Sequence, residues 1–192
     1  MLQRKFQDKR LILASGSPRR HELLKGMDIP FTVKTIEVEE QYPGYLTKEA
    51  ITDYLSQLKA DAFKQLDAND IVITADTIVW SEGTALTKPI DADNAVKTLQ
   101  KLSGRKHEVY TSVCVKSPDK QVVFSDCTSV YFKVFDPDEV SYYVSVYKPF
   151  DKAGAYGVQE WLGYIGIERL EGSYYNVVGL PVHKLYQVLK DF

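Results

Sequence analysis

A chain of 192 residues, 44% hydrophobic and 26% charged, has the composition of an ordinary soluble globular protein and length enough for one domain with a large core. Its net charge of −2 argues against a protein that tracks a long nucleic-acid backbone, so any phosphate site must be local. No apolar run approaches the roughly 18 residues of a membrane helix and no signal-peptide pattern opens the chain, so no membrane partner and a cytoplasmic location are expected.

Leu11 to Ala14 reads as a short buried strand. Ser15-Gly16-Ser17 follows, then Pro18 at the first turn of a helix with Ser17 as its N-cap. Arg19 and Arg20 lead into Glu22, Leu23 and Leu24 at helical spacing. Strand, small-residue loop, helix start and paired guanidinium groups together make an anion site. The helix end carries roughly half a positive charge and unpaired N–H groups, and arginine forks match phosphate oxygens bidentately. The candidate phosphate-binding residues are therefore Ser15, Ser17, Arg19 and Arg20. No GKS or GKT follows the glycine, so this is not a P-loop.

Pro30 restarts the chain as a strand over Phe31 to Ile36, followed by the acidic Glu37, Glu39 and Glu40. Thr47 caps a long amphipathic helix with Ile51, Tyr54, Leu55, Leu58, Ala62, Phe63 and Leu66 as its apolar stripe. Lys59 lies beside that stripe, where its stem packs while its ammonium reaches a cleft edge. Asp70 to Trp80 is the most strand-like segment, apolar enough for the middle of a sheet. Asp76 interrupts it. A carboxylate there is costly if buried without a partner, so it is expected to emerge at a cleft.

Glu82-Gly83 turns the chain, and Leu86 to Pro89 returns carrying Lys88. Asp91 caps a further helix that Ser103-Gly104 closes. Val109 to Val115 and Val122 to Val134 read as a hairpin around Ser117 to Lys120. Asp136 to Glu139 is a capping box whose helix buries Val140, Tyr143, Val144 and Tyr147 and ends at Pro149. Asp151 to Gln159 is a small, glycine-rich loop suited to close approach of a ligand. A strand from Tyr164 to Leu170, a polar loop at Gly172 to Asn176 and a final helix near Pro181 complete a single domain over residues 1–192. Cys114 and Cys127 fit neither a metal nor a disulfide spacing and read as buried free thiols. His21, His107 and His183 are scattered, which fits structural or surface roles and not zinc. The first loop, Asp76, Lys88 and the Asp151 to Gln159 loop are polar where packing prefers otherwise, and one shared cleft is the economical explanation.

Five segments in order, LASGSPRRHELL, ADTIV followed by LTKP, LSGRKHEVYT, DKAGAYGVQ and GSYYNVVGLP, resemble the Maf family over about residues 11–183. The resemblance implies an ITPase-like, Maf/Ham1-type α/β fold: an elongated mixed β-sheet flanked by helices, with two lobes around a nucleotide cleft. It implies a nucleoside triphosphate pyrophosphatase that releases a nucleoside monophosphate and pyrophosphate with a divalent metal. By the same resemblance Asp76 matches the proposed general base, Glu40 the acidic position before it, Lys59 the lysine of a KA pair and Lys88 that of a KP pair. Arg19, Thr77 and Gln159 stand at the positions that sort the family by base, and this set resembles the dTTP/UTP branch, with modified pyrimidine nucleotides as further substrates. The 7-methyl-GTP branch is expected to show tryptophan, glutamine and glutamate there. The chain departs from the family at Val146-Tyr147-Lys148-Pro149, where TGEP is common, at Thr87 and at Met27-Asp28. A homodimer is compatible with the resemblance, though no exposed stripe argues for one.

Magnitudes then require a metal. An ordinary aspartate, pKa ~3.9, and bulk water, ~15.7, differ by roughly 12 units, about 16 kcal/mol. A metal that brings water toward ~7 to 9 removes most of that gap. Magnesium or manganese is the natural choice, with cobalt as a further candidate, and Asp76 and Glu40 are the expected ligands. Arg19, Arg20, Lys59 and Lys88 can neutralise the triphosphate. Two other readings compete: a pyrophosphatase for 7-methyl-GTP or other altered purines, and a non-catalytic nucleotide-binding regulator of septum formation.

Overall fold

The computed structural model describes residues 2–192. In chain order its elements are α1 (Leu2–Lys5), β1 (Arg10–Leu13), α2 (Pro18–Lys25), β2 (Thr32–Val33), α3 (Glu49–Asp61), β3 (Asp70–Ser81), β4 (Thr84–Leu86), α4 (Ala92–Leu102) and β5 (Lys106–Lys116). Then come β6 (Gln121–Phe132), α5 (Pro137–Tyr147), a single 3-10 turn at Ala153–Ala155, α6 (Trp161–Gly166), β7 (Ile167–Glu171), α7 (Tyr174–Val178) and α8 (Val182–Asp191). The strands form one mixed sheet in the order β2-β1-β3-β5-β6-β7, with β4 paired to β3. Helices and a mixed sheet together give the α/β class that the sequence implies.

The chain divides into two compact units. The first takes everything up to Asp76, with Thr111–Asp126 and Gly179–Phe192. Here β1 pairs parallel with both β2 and β3, Ile12 lying opposite Thr32 and Val72. Leu11, Leu13, Leu24, Ile73, Val113 and Leu185 are fully buried at its core. The apolar run of β3 is explained by burial of both its faces. The second unit takes Thr77–Tyr110 and Cys127–Val178. It contains the antiparallel pairs β3–β4 and β6–β7, and Leu99, Leu102, Val130, Tyr143 and Leu162 are fully buried within it.

Several expectations are corrected. The strand read over Phe31 to Ile36 shrinks to Thr32–Val33, because β1 ends at Leu13, the partner of Val33. The long helix starts at Glu49, after a left-handed Lys48, and stops at Asp61, so Phe63 packs from outside it. The strand read from Tyr164 begins only at Ile167. Before it Trp161–Gly166 is helical, since Gly163 and Gly166 let that helix lie against Val158 and Phe135; a Cβ at either would come within 2.2 Å of them. The loop read at Gly172 to Asn176 runs into α7. Along β6, Thr128, Val130 and Phe132 turn inward, which puts Cys127 on the other face, exposed and not buried. Tyr147 is part-exposed and stacks on Tyr143 at 5.0 Å between ring centroids. Leu2–Lys5, read as no element, is a short helix with Leu2 buried.

Candidate functional site

In the first unit, strand lengths create the site. Leu13 is the last paired residue of β1, opposite Ile73, and Ala14 N–H donates to Ile73 O at 2.8 Å. Beyond that level β1 turns into the Ser15 to Ser17 loop while β3 continues to Asp76. Side chains past the carboxyl ends of parallel strands face the usual ligand position of open α/β sheets. Ser15, Ser17 and Glu40 follow such ends, and Asp76 lies on β3 beyond its last residue paired with β1.

Asp76, expected to emerge at a cleft, is 6% exposed. Its burial is tolerated because a cation meets it. Lys59 Nζ lies 2.6 Å from Asp76 Oδ1 and 3.0 Å from Glu40 Oε1. Burial pushes the Asp76 carboxyl above the usual range, and Lys59 and then Arg20 pull it partly back. Glu40 is the wet end of the set, with its side chain 47% exposed. Hydroxyls hold the helix that supplies Lys59 to the sheet. Thr52 and Ser112 share a 2.6 Å bond, Ser112 donates to Asp53 Oδ1 at 2.6 Å, and Thr74 donates to Ser56 O at 2.6 Å.

The first loop is braced from below. Ser17 N–H donates to Ser15 Oγ at 3.2 Å, and the His21 ring donates from Nε2 to Ser15 O at 2.5 Å. Ser17 occupies the N-cap of α2 with no side-chain capping bond. Arg20 donates to two backbone carbonyls, Gly179 O and Ala75 O, both at 2.8 Å, and to Ser15 Oγ at 3.4 Å. It therefore positions the loop and the Asp76 strand end, a duty that its pairing with Arg19 in sequence does not reveal. Arg19 is half-buried.

Thr77, half-buried, Lys88, exposed, and Gln159 belong to the second unit. Gln159 Oε1 is buried and accepts no hydrogen bond among the described residues. Its loop is bent by consecutive left-handed residues, Gly154 at φ 69° and Ala155 at φ 60°; a Cβ at Gly154 would meet Val79 Cγ2 at 2.7 Å. Buried polar groups that sequence reasoning missed surround this loop. His107 Nε2 and Tyr156 OH are 2.7 Å apart, and burial holds the imidazole neutral by lowering its pKa to about 3. Lys152 Nζ meets Glu160 Oε1 at 3.0 Å and Asp151 Oδ1 at 2.7 Å.

Among the described residues no group of three or more His, Cys, Asp or Glu side chains suits a metal. Asp76 and Glu40 are two carboxylates whose shared contact is the Lys59 ammonium. That donor set fits magnesium or manganese, which bind through one or two carboxylates and complete their shells with phosphate oxygens and water. No helix among the described residues is long and apolar enough to cross a membrane.

A family model described as Maf-like protein matches residues 10–192. A dTTP/UTP pyrophosphatase of Flavobacterium psychrophilum is 50% identical over 98% of this chain and 97% of its own length. One from Christiangramia forsetii is 50% identical over 100% and 98%, and one from Bacteroides fragilis 48% identical over 95% of each. Among solved structures, the Ham1 protein of Staphylococcus aureus has a partial likeness, TM-score 0.46 at 19% identity over 65% of this chain and 72% of that one.

Proposed function

The chain belongs to the Maf family, and on that premise we propose that it hydrolyses dTTP and UTP to the nucleoside monophosphate and pyrophosphate. The observation that carries the reading is a buried carboxylate, Asp76, 2.6 Å from Lys59 just past the end of β1. Relatives at about half identity over nearly their full lengths support the substrate choice.

Asp76 is the proton acceptor. Its raised pKa brings it nearer the operating pH, which favours a general base. Water adds to the α-phosphorus, the bond to the bridging oxygen breaks, and its electron pair leaves with pyrophosphate while the water proton passes to Asp76. Lys59 orients Asp76 and offsets charge on the phosphates. Ser15, Ser17 and the N–H groups of the first loop take phosphate oxygens, with Arg19 and Lys88 as counter-charges. Magnesium or manganese, held by Asp76, Glu40 and phosphate oxygens, would neutralise the triphosphate and make the attacking water more acidic.

Base choice is assigned to Gln159, with Thr77 leaving room for the ring. The buried Oε1 of Gln159 has an unmet need for a donor, and the N3–H of uracil or thymine supplies one while the amide N–H groups meet a ring carbonyl. A base-by-base panel with magnesium or manganese tests the reading, with pyrophosphate and orthophosphate measured separately. Pyrophosphate from dTTP and UTP in preference to purine triphosphates is expected. Orthophosphate instead would mean a different bond is cut, and no release would favour the binding regulator.

A further inference from the structure

Resting on the assignment of Gln159 as the base reader, we infer that Tyr143, acting with Lys152 through Glu160, is the positioning device that fixes Gln159 and thereby sets base selectivity. One oxygen makes the latch. Tyr143 OH accepts from Gly157 N–H at 3.0 Å and donates to Glu160 Oε2. Glu160 N–H in turn donates to Gly157 O at 3.0 Å, closing a tight turn over 157–160. Gln159 is the third residue of that turn, so its main chain is held on both sides by a single hydroxyl.

The latch has no slack. Tyr143 is fully buried in α5, stacked on Tyr147. The other oxygen of Glu160 is held by Lys152, whose side chain is 9% exposed. Gly157 is obligatory in this arrangement, since a Cβ there would lie 2.7 Å from Glu160 Cδ. Both oxygens of Glu160 are thus engaged within the protein. A loose carboxylate beside Gln159 would repel pyrimidine carbonyls and attract the N–H edge of guanine. Holding it therefore serves selectivity twice, by fixing the amide and by withdrawing the charge. Tyr143, Lys152 and Glu160 touch no substrate in this account.

The test compares kcat/KM for UTP with that for GTP in the parent chain, Tyr143→Phe and Gln159→Ala, with folding followed by thermal melting. Tyr143→Phe keeps the ring and removes the latch oxygen. The ratio is expected to fall about tenfold, chiefly through KM for UTP, as for a site whose hydrogen-bonding group is misplaced. A merely structural loss would lower both efficiencies together and leave the ratio alone. If Tyr143→Phe does not fold, Lys152→Met is read in the same way. A ratio that falls in both Tyr143→Phe and Gln159→Ala supports the inference. A fall in Gln159→Ala alone overturns it and leaves the base-reader assignment standing. No fall in Gln159→Ala overturns both.

Discussion

Strand β3 ends its stay in the first unit between two buried carboxylates that behave in opposite ways. Asp70 is 4% exposed and Asp76 is 6% exposed. Asp70 meets both donors of a guanidinium fork, Arg10 Nε at 2.6 Å and Nη2 at 2.8 Å, and those bonds hold its carboxyl below the usual range. Asp76 meets one ammonium that it shares with Glu40, and burial wins, pushing its carboxyl up. Both are shielded from direct contact with solvent, but Asp70 lies near the surface beside a half-exposed guanidinium and Asp76 lies deep, so depth and partner together set their opposite acidity. A fork satisfies a carboxylate and makes it inert, whereas a shared point charge leaves it in need of a proton or a cation. The first arrangement is a fastening, and the second suits the base proposed for it.

The largest effect should come from breaking the reactive end. Asp76→Asn is expected to lower kcat by about 10³-fold while the melting temperature changes little, because shape is kept and the proton acceptor is lost. Pyrophosphate release alongside a thermal melt checks both halves. Asp70→Asn should do the reverse and leave kcat intact in the folded enzyme.

Next in size is Lys59→Met, for which kcat is expected to fall about 10²-fold as phosphate neutralisation is lost. The same change removes the cation that pulls the Asp76 pKa back down. In the parent enzyme, activity should fall on acidification as Asp76 takes up a proton, at a pH above the ordinary carboxylate value of 3.8. In Lys59→Met that acid limb should move to still higher pH, which a kcat–pH profile measures. An acid limb that stayed in place would mean Lys59 does not govern Asp76.

Glu40→Gln sharpens the comparison by giving Lys59 wholly to Asp76. About a tenfold loss of kcat/KM is expected, partly restored by raising the concentration of the divalent metal, since Glu40 is half in solvent. A steady-state titration with magnesium at fixed nucleotide would show it.

The smallest effect is on stability at the fastened end. Asp70 has a folded pKa below its ordinary value of 3.8. The stability it contributes is therefore present above that value and is lost as pH falls through the folded pKa. Asp70→Asn should lower the melting temperature at neutral pH by roughly 2–8 °C and flatten its decline on acidification. Differential melting from neutral to acidic pH measures both.

Much of this was legible in the residues. Asp76 stands out because it breaks an apolar run, and Ser15 to Arg20 because a proline and small residues punctuate a strand-to-helix turn. What escaped was non-local. The sharing of Lys59 between Glu40 and Asp76 depends on three segments meeting, which no period encodes. Arg20 reads as a ligand for phosphate, and nothing in its spacing reveals its bonds to the carbonyls of Ala75 and Gly179. Tyr143 reads as core from its spacing with Val140 and Val144, and its ring is core. The work of its hydroxyl leaves no trace in hydrophobic periodicity. The strand read from Tyr164 takes in Gly166, whose lack of a Cβ, like that of Gly163, is what allows a helix to pack there.

The division of the chain also bears on how the core of its first unit is closed. The second unit is drawn wholly from Thr77–Tyr110 and Cys127–Val178, whereas the first needs Gly179–Phe192. That last stretch supplies Leu180, Leu185 and Leu189 to the first unit's core, and the carbonyl that Arg20 holds. The core around Leu11, Leu13 and Ile73 is therefore complete only when residues that lie beyond the second unit in sequence pack against it. Arg20 joins Gly179 O to Ala75 O, so the segment that closes this core is also tied to the strand end beside Asp76.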